Sequence, residues 1–247
     1  MLMVLLVGFL GYGCASTPVQ KEPEIPPKRP VSEFVKKGVK YPIDAYDPWE
    51  GMNRRIYIFN ALFDQYVFLP IVRGYEFITP DFTQKGVSNF YNNVHEITTL
   101  INSLLQFKMQ KFGITLSRIL LNTTIGAAGL LDVSTALEIR KQNEDFGQTL
   151  GFYGMGPGPY LVLPVFGPSS LRDAGGLAVD VVSYSYITGA VMDEADLNWQ
   201  IQLGVTVLDA IDTRHQQSFR YYATGTPFEY ELIRMLYLRK REFEVEH

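Results

Sequence analysis

Few side chains in this chain have both the type and the spacing that chemistry needs. Its histidines are His95, His215 and His247, and no pair has metal-ligand spacing. No Gly-x-Ser-x-Gly elbow exposes a nucleophile. Ser169 and Ser170 follow Pro168 and read as a helix cap. The acidic pairs Glu144-Asp145 and Asp193-Glu194 read as solvated turns. His95 beside Glu96 reads as a surface or capping pair that opens a helix. Gly154, Gly156 and Gly158 invite comparison with a phosphate loop. Such a loop works through backbone N–H groups, which Pro157 and Pro159 lack, and no Gly-Lys-Ser/Thr follows. The expectation is a protein that is not an enzyme and needs no metal or cofactor.

One residue with chemistry left to do is Cys14, the single cysteine. It follows an apolar run from Leu2 to Leu10 and the small residue Gly13. The run is too short to span a bilayer, which takes ~20 apolar residues, and has the form of a bacterial lipoprotein signal. Cleavage would make Cys14 the lipid-bearing first residue and keep the chain outside the cytoplasm. The other reading is a free thiol in a short apolar anchor. The expected organisation is a signal over 1–13, a lipidated cysteine and linker over 14–46, and a folded domain over 47–247. Pro18, Pro23, Pro26, Pro27, Pro30 and Pro42 keep the linker extended.

Stepping outward to the elements, the dominant period after Asp47 is helical. On a helix from 111 to 125, Lys111, Thr115, Arg118 and Asn122 stack in one narrow stripe. Around it lie Phe112, Ile114, Leu116, Ile119, Leu120, Leu121 and Ile125. A helix apolar nearly all round sits deep in protein or against lipid. Either the stripe touches solvent from a core helix, or the belt meets acyl chains and the stripe turns to a water-filled interior. Ile97, Leu100, Ile101, Leu104 and Leu105 form another apolar face, with Thr98, Asn102 and Gln106 opposite. Ser170 and Asp173 predict a helix start, followed by a small-residue stripe of Leu171, Ala174, Ala178, Val182 and Ser185. Near the end, Phe228, Leu232, Leu236 and Phe243 face one way; Glu229, Arg234, Arg239, Lys240 and Arg241 largely face elsewhere. Residues 151–168 predict a stiff apolar loop or short hairpin, packed under helices or wedged into a bilayer.

Composition agrees with a membrane surface. Charged residues are 19% of the chain, below the ~25% usual for soluble domains, while aromatics reach 13%. A net charge of -4 and the absence of a basic stripe argue against nucleic acid. One cysteine permits no intramolecular disulfide.

Four blocks carry a family resemblance. They are Asp47-Pro48-Trp49-Glu50-Gly51-Met52-Asn53-Arg54 with Phe59-Asn60; Arg118, Asn122-Thr123, Gly126, Gly129 and Asp132-Val133; Phe146 to Gly151 with Tyr153-Gly154, Gly158-Pro159-Tyr160, Leu163-Pro164, Gly167-Pro168 and Leu171-Arg172-Asp173; and Asp212-Thr213-Arg214. In these the chain resembles the MlaA (VacJ) family of Gram-negative outer-membrane lipoproteins. The resemblance implies a mostly α fold, a ring-like bundle of amphipathic helices lying in the membrane plane around an amphipathic channel. It implies removal of misplaced phospholipid from the outer leaflet, handed to a soluble periplasmic phospholipid carrier. It also implies trimeric porins as partners and a seat in the inner, periplasm-facing leaflet of the outer membrane. On that reading Asn60, Lys111, Thr115, Arg118, Asn122 and Arg172 are channel or lipid-contact candidates, with Arg118 and Arg172 offering guanidinium forks to phosphate. Arg172 beside Asp173 could equally lock a loop, and Asn60 could bond across to a neighbour. Asp47, Pro48, Trp49, Glu50, Gly51, Asn53 and Arg54 are expected to start the first helix and brace the fold. Gly151, Gly154, Gly158, Pro159 and Asp173 complete the structural motif. Two alternatives predict otherwise: an envelope adaptor that binds porins and moves no lipid, and a membrane-surface lipid hydrolase.

Overall fold

The computed structural model describes residues 45–247. The expected signal, Cys14 and nearly all of the linker lie outside the described residues. Helix α1 (Glu50–Phe63) runs through a π-helical turn at Asp64–Phe68 into α2 (Leu69–Ile78). Pro70 explains the widened turn, because its ring has no N–H and crowds the carbonyl one turn back. Pro80 then opens α3 (Asp81–Leu105), which folds back as α4 (Met109–Thr124) through Phe107, at φ 55. Short helices α5 (Val133–Ala136) and α6 (Phe146–Phe152) follow. Strands β1 (Tyr160–Leu163) and β2 (Gly167–Ser170) pair antiparallel, with Tyr160 opposite Ser170. Long helices α7 (Leu171–Glu194), α8 (Trp199–Gln216) and α9 (Glu229–Glu246) complete the order. Asp145 and Gln148 form a capping box on α6, Ser170 caps α7, and Asn198 caps α8.

The glycine- and proline-rich segment is thus a hairpin, and it is clipped to α1 by two asparagines two turns apart. Asn53 donates to the Tyr160 carbonyl at 3.0 Å and accepts from Val162 N–H at 2.9 Å. Asn60 repeats the pattern with the Leu163 carbonyl at 2.9 Å and Val165 N–H at 2.8 Å. Each carboxamide mimics a strand's donor–acceptor pair along the edge of β1. Tyr160 and Val162 are buried against this face, beside Tyr57 and Tyr230. Asn60→Leu would remove two partly buried hydrogen bonds, at ~0.5–1.5 kcal/mol each. The expected result is a lower Tm together with faster proteolysis near Val165. An unchanged Tm would show that the clip does not hold the hairpin.

The distribution of side chains is inverted relative to a water-soluble globule. Polar and charged residues outnumber apolar ones among the buried residues, and they include Arg118, Glu96, Asn102, Asp212 and Arg234. Phe77 is 91% exposed, Phe82 78% and Tyr186 79%. In water, so much exposed apolar surface would be unfavourable at about 25 cal/mol per Å². A bilayer as solvent reverses the sign, since apolar side chains then face acyl chains and polar groups must pair inside. On α3 the polar face, Glu96, Thr99, Asn102, Ser103 and Gln106, is the buried one, while Ile101, Leu104 and Leu105 are exposed. On α9, Tyr230, Arg234 and Arg241 are buried, and Leu236 and Phe243 are exposed. On α7, Leu171 and Val182 of the expected small-residue stripe are exposed. No helix among the described residues is long and apolar enough to cross a membrane.

Two local expectations are corrected. Glu144 is 4% exposed rather than solvated, and Asp145 is the cap of α6. His95 lies in mid-α3, beside Asp209 of α8. Glu144 is buried because Lys108 and Lys111 reach it from a distant segment, and His95 is mid-helix because α3 already starts after Pro80.

Candidate functional site

Three polar assemblies hold the helices. The first corrects the expected water-facing stripe. Thr115, Arg118 and Asn122 are 1%, 2% and 3% exposed, on the side of α4 that faces protein. Arg118 Nε donates to Glu96 at 2.7 Å, Nη1 to the Ile139 carbonyl at 2.5 Å, and Nη2 to both Asp132 oxygens at 3.3 Å. Asn122 donates to Asp132 and accepts from Ser134 N–H. Lys108 and Lys111 both reach Glu144. Burial pushes the Glu96 carboxyl up, beyond what the hydrogen bond and charge of Arg118 recover. Burial acts the same way on Asp132, but hydrogen bonds from Thr135 and the charge of Arg118 win and hold it down. Within the stripe, Lys111, Arg118 and Asn122 meet carboxylates of α3 and of the 126–144 segment, whereas the buried Thr115 hydroxyl has no hydrogen-bond partner among the described residues. The apolar belt around it does face outward, with Leu120 and Ile125 exposed.

The second assembly centres on Asp173. It accepts from Ser170 Oγ at 2.8 Å, Tyr237 OH at 2.7 Å, Arg172 Nε at 2.9 Å and Arg241 Nη2 at 3.0 Å. Arg241 also donates to both Asp145 oxygens, joining α9 to α6 and α7. Arg172 donates to the Met155 carbonyl and is 7% exposed, so it locks the loop before the hairpin. In that loop Gly154 and Gly158 take positive φ of 89° and 68°, a conformation glycine adopts without steric cost. A Cβ at Gly151 would lie 2.9 Å from Arg172 Nη1. Burial opposes ionisation of Asp173, but Arg241, Arg172 and Tyr237 outweigh it and bring its pKa down to about 2. A depressed carboxyl pKa contributes stability above the ordinary aspartate range, and this is lost as pH falls through the folded value. The drop of nearly two units from 3.8 is worth roughly 2 kcal/mol, lost between about pH 4 and pH 2. The free energy of unfolding, measured from pH 5 to pH 2, should therefore fall less steeply for Asp173→Asn than for wild type. Parallel curves would sink the assignment.

The third assembly braces α1 on α9. Asp47 accepts from Asn53 at 2.8 Å, Tyr230 OH at 2.5 Å and Arg234 at 3.1 Å. Arg54 pairs with Glu50 and Glu231 and lies over the Tyr230 ring.

Between these braces lie two cavities with one common wall. The first, about 690 Å³, sits among α3, α4, α7 and α8 and is lined mainly by apolar groups such as Phe90, Ile97, Ile119, Leu130 and Val191. The second, about 700 Å³, lies between α1, the π-helical turn, the hairpin, α7 and α8. It mixes Phe63, Phe68 and Phe166 with Asn60, Asp64, Ser185, Gln202 and Arg214. Tyr184, Thr188 and Met192 of α7 and Thr206 and Asp209 of α8 line both. Arg214 is fixed by a bidentate pair with Asp64, at 2.5 and 2.7 Å, and by the Gln217 and Phe219 carbonyls. Of the channel candidates named from sequence, Asn60 lines the second cavity; Lys111, Thr115, Arg118, Asn122 and Arg172 line neither. Tyr184, Thr188, Thr206, Asp209 and Asp64 were missed. Thr206, Asp209 and Thr213, spaced three and four apart, are a polar stripe that could have been read on α8. An apolar compartment beside a mixed one suits an amphiphile, with room for acyl chains and for a polar head. No group of three or more His, Cys, Asp or Glu among the described residues could hold a metal.

Comparison with known proteins places these features in a family. The model of the MlaA lipoprotein family matches residues 45–244. An uncharacterised protein of Rickettsia prowazekii is 40% identical over 131 residues, 53% of this chain and 52% of that one. The intermembrane phospholipid transport system lipoprotein MlaA of Escherichia coli (strain K12) is 34% identical over 178 residues, 69% of this chain and 66% of that one. The chain thus spans from about half to two thirds of the length of these relatives. A solved structure described as the "Structural basis for maintenance of bacterial outer membrane lipid asymmetry" superposes with a TM-score of 0.64 at 28% identity, covering 81% of this chain and all of the other.

Proposed function

Because this chain belongs to the MlaA lipoprotein family, we propose that it is an outer-membrane phospholipid conduit that maintains lipid asymmetry. It works passively: phospholipid misplaced in the outer leaflet enters, passes the cavities beside α7 and α8, and leaves toward the periplasm. The protein sits in the inner leaflet as a ring of in-plane helices, tethered through a lipid on Cys14, with 14–46 as the tether and 47–247 as the working domain. The observation that carries this reading is the inverted surface wrapped around an amphipathic void. The exposed apolar belt supports immersion in acyl chains. The paired cavities support a route that solvates head and tails together. No bond is made or broken, so no nucleophile is required. A soluble periplasmic phospholipid carrier of the Mla system receives the lipid, and trimeric porins hold the protein at its station. The adaptor reading gives the cavities no role, and the hydrolase reading lacks a nucleophile motif to support it.

The test is complementation in an Escherichia coli strain lacking its own relative. An acyltransferase that modifies lipid A with outer-leaflet phospholipid reports surface phospholipid. Expression of this chain is expected to bring the signal down toward wild type. Thr188→Trp, which fills the common wall, is expected to localise normally and leave it high. Full rescue by a stable Thr188→Trp protein would favour the adaptor, which needs no open route.

A further inference from the structure

Resting on the conduit reading, we infer that Asp209 makes the route selective for phospholipids whose headgroup carries a protonated amine, over headgroups that are net anionic. Asp209 lines both cavities, so a lipid held in either has this carboxylate in its wall. Its carboxylate accepts from Tyr184 OH at 2.7 Å, and His95 Nε2 stands 3.2 Å from both of its oxygens. Its Oδ1 is buried and has no hydrogen-bond donor among the described residues.

The charge balance of the lining decides the sign. Among the described residues, Arg214 is the single Lys or Arg lining either cavity, and Asp64 neutralises it through the bidentate pair. That leaves Asp209 as the one lining carboxylate without a Lys or Arg partner. One turn further along α8, buried Asp212 is satisfied by the neutral donors Ser88, at 2.6 Å, and Gln216, at 2.7 Å. Two carboxylates therefore stand behind this wall with no guanidinium or ammonium against them. Their field reaches a neighbour: Tyr91 is pushed up to about 12 by burial and then by Asp209 and Asp212. In a poorly solvated cavity such a field acts over several ångströms. It attracts an ammonium and repels a headgroup of net negative charge.

The experiment uses the full lipidated chain, extracted from vesicles of phosphatidylethanolamine and phosphatidylglycerol in equal amounts at pH 8, above the usual range of imidazole. Bound lipid is quantified by mass spectrometry. Wild type should enrich the ethanolamine lipid by roughly three- to tenfold over the vesicle ratio. Asp209→Asn, which still accepts from Tyr184, should bring the ratio close to one, and Asp209→Glu should restore most of the preference. Equal capture of both lipids by wild type, or a preference that survives Asp209→Asn, would overturn the inference and leave the conduit standing. Capture of no phospholipid by wild type would instead bring down the conduit reading, and the inference with it.

Discussion

Arg118→Ala is expected to remove the folded protein rather than to change what passes through it. The guanidinium is 2% exposed and is the common partner of Glu96, Asp132, Thr135 and the Ile139 carbonyl. Alanine leaves Glu96, 1% exposed, without its hydrogen-bond donor and with Lys141 as the cation still acting on it. Removing one partner of such a pair costs ~3–5 kcal/mol, a large share of the stability of a typical domain. The check is thermal unfolding in detergent alongside steady-state abundance in membranes. Expected are a strongly lowered Tm and scarce protein. A variant of normal abundance and Tm that fails in lipid removal would return Arg118 to the conduit. The companion Glu96→Gln keeps a neutral acceptor for the guanidinium and should cost less, because burial already disfavours the charged carboxyl.

The second large effect is expected at Gly176, where α7 crosses α6. A Cβ there would lie 2.6 Å from Gly147 Cα and 3.0 Å from the Phe146 carbonyl carbon. These are backbone atoms of a capped helix and cannot swing aside as a side chain does. Gly147 is equally closed, since a Cβ there would meet Asp173 Oδ1 at 2.7 Å and Arg241 Nη2 at 2.8 Å. Gly176→Val must therefore push α6 off α7 and stretch the Asp145–Arg241–Asp173 network. Overpacking typically costs 1–3 kcal/mol, and loss of buried charged hydrogen bonds adds to it. We expect at least about 3 kcal/mol, read as a fall in the denaturant midpoint at constant m. Gly175→Val next door, where a Cβ meets nothing within 4 Å, is the control and should cost little beyond helix propensity. Equal effects at the two positions would show that the close approach is not what matters.

How legible was this in the sequence? The helices were, because 3.6-residue periodicity survives inversion: a stripe is a stripe whether it faces in or out. The caps at Asp145, Ser170 and Asn198 belong to local chemistry, and only the Ser170–Asp173 start was picked out. The hairpin was one of two readings of residues 151–168. What periodicity cannot give is the solvent on each side. Lys111, Arg118 and Asn122 look alike in sequence whether they face water or the carboxylates Glu96, Asp132 and Glu144, and a guanidinium that suits a phosphate suits those carboxylates as well. For Arg172 the loop lock beside Asp173 was one of two readings and is the one found, while nothing near it in sequence announces Arg241 and Tyr237 on α9. Asn60 was placed in the same way, since bonding to a neighbour was one of its two readings. The cavity wall was missed because Tyr184, Thr188, Thr206 and Asp209 are unremarkable alone, and acquire meaning when α7 and α8 fold back on each other.

The most direct measurement places a photo-cross-linking amino acid at position 188, on the wall common to both cavities, and at position 182 on the exposed face of α7. Cells are irradiated and the adducts identified by mass spectrometry. A conduit immersed in lipid should give phospholipid adducts at both positions, and those at 188 alone should disappear when Thr206→Trp fills the void. Adducts at 182 with none at 188 would contradict the conduit and leave a protein that lies in the membrane without lipid passing through it.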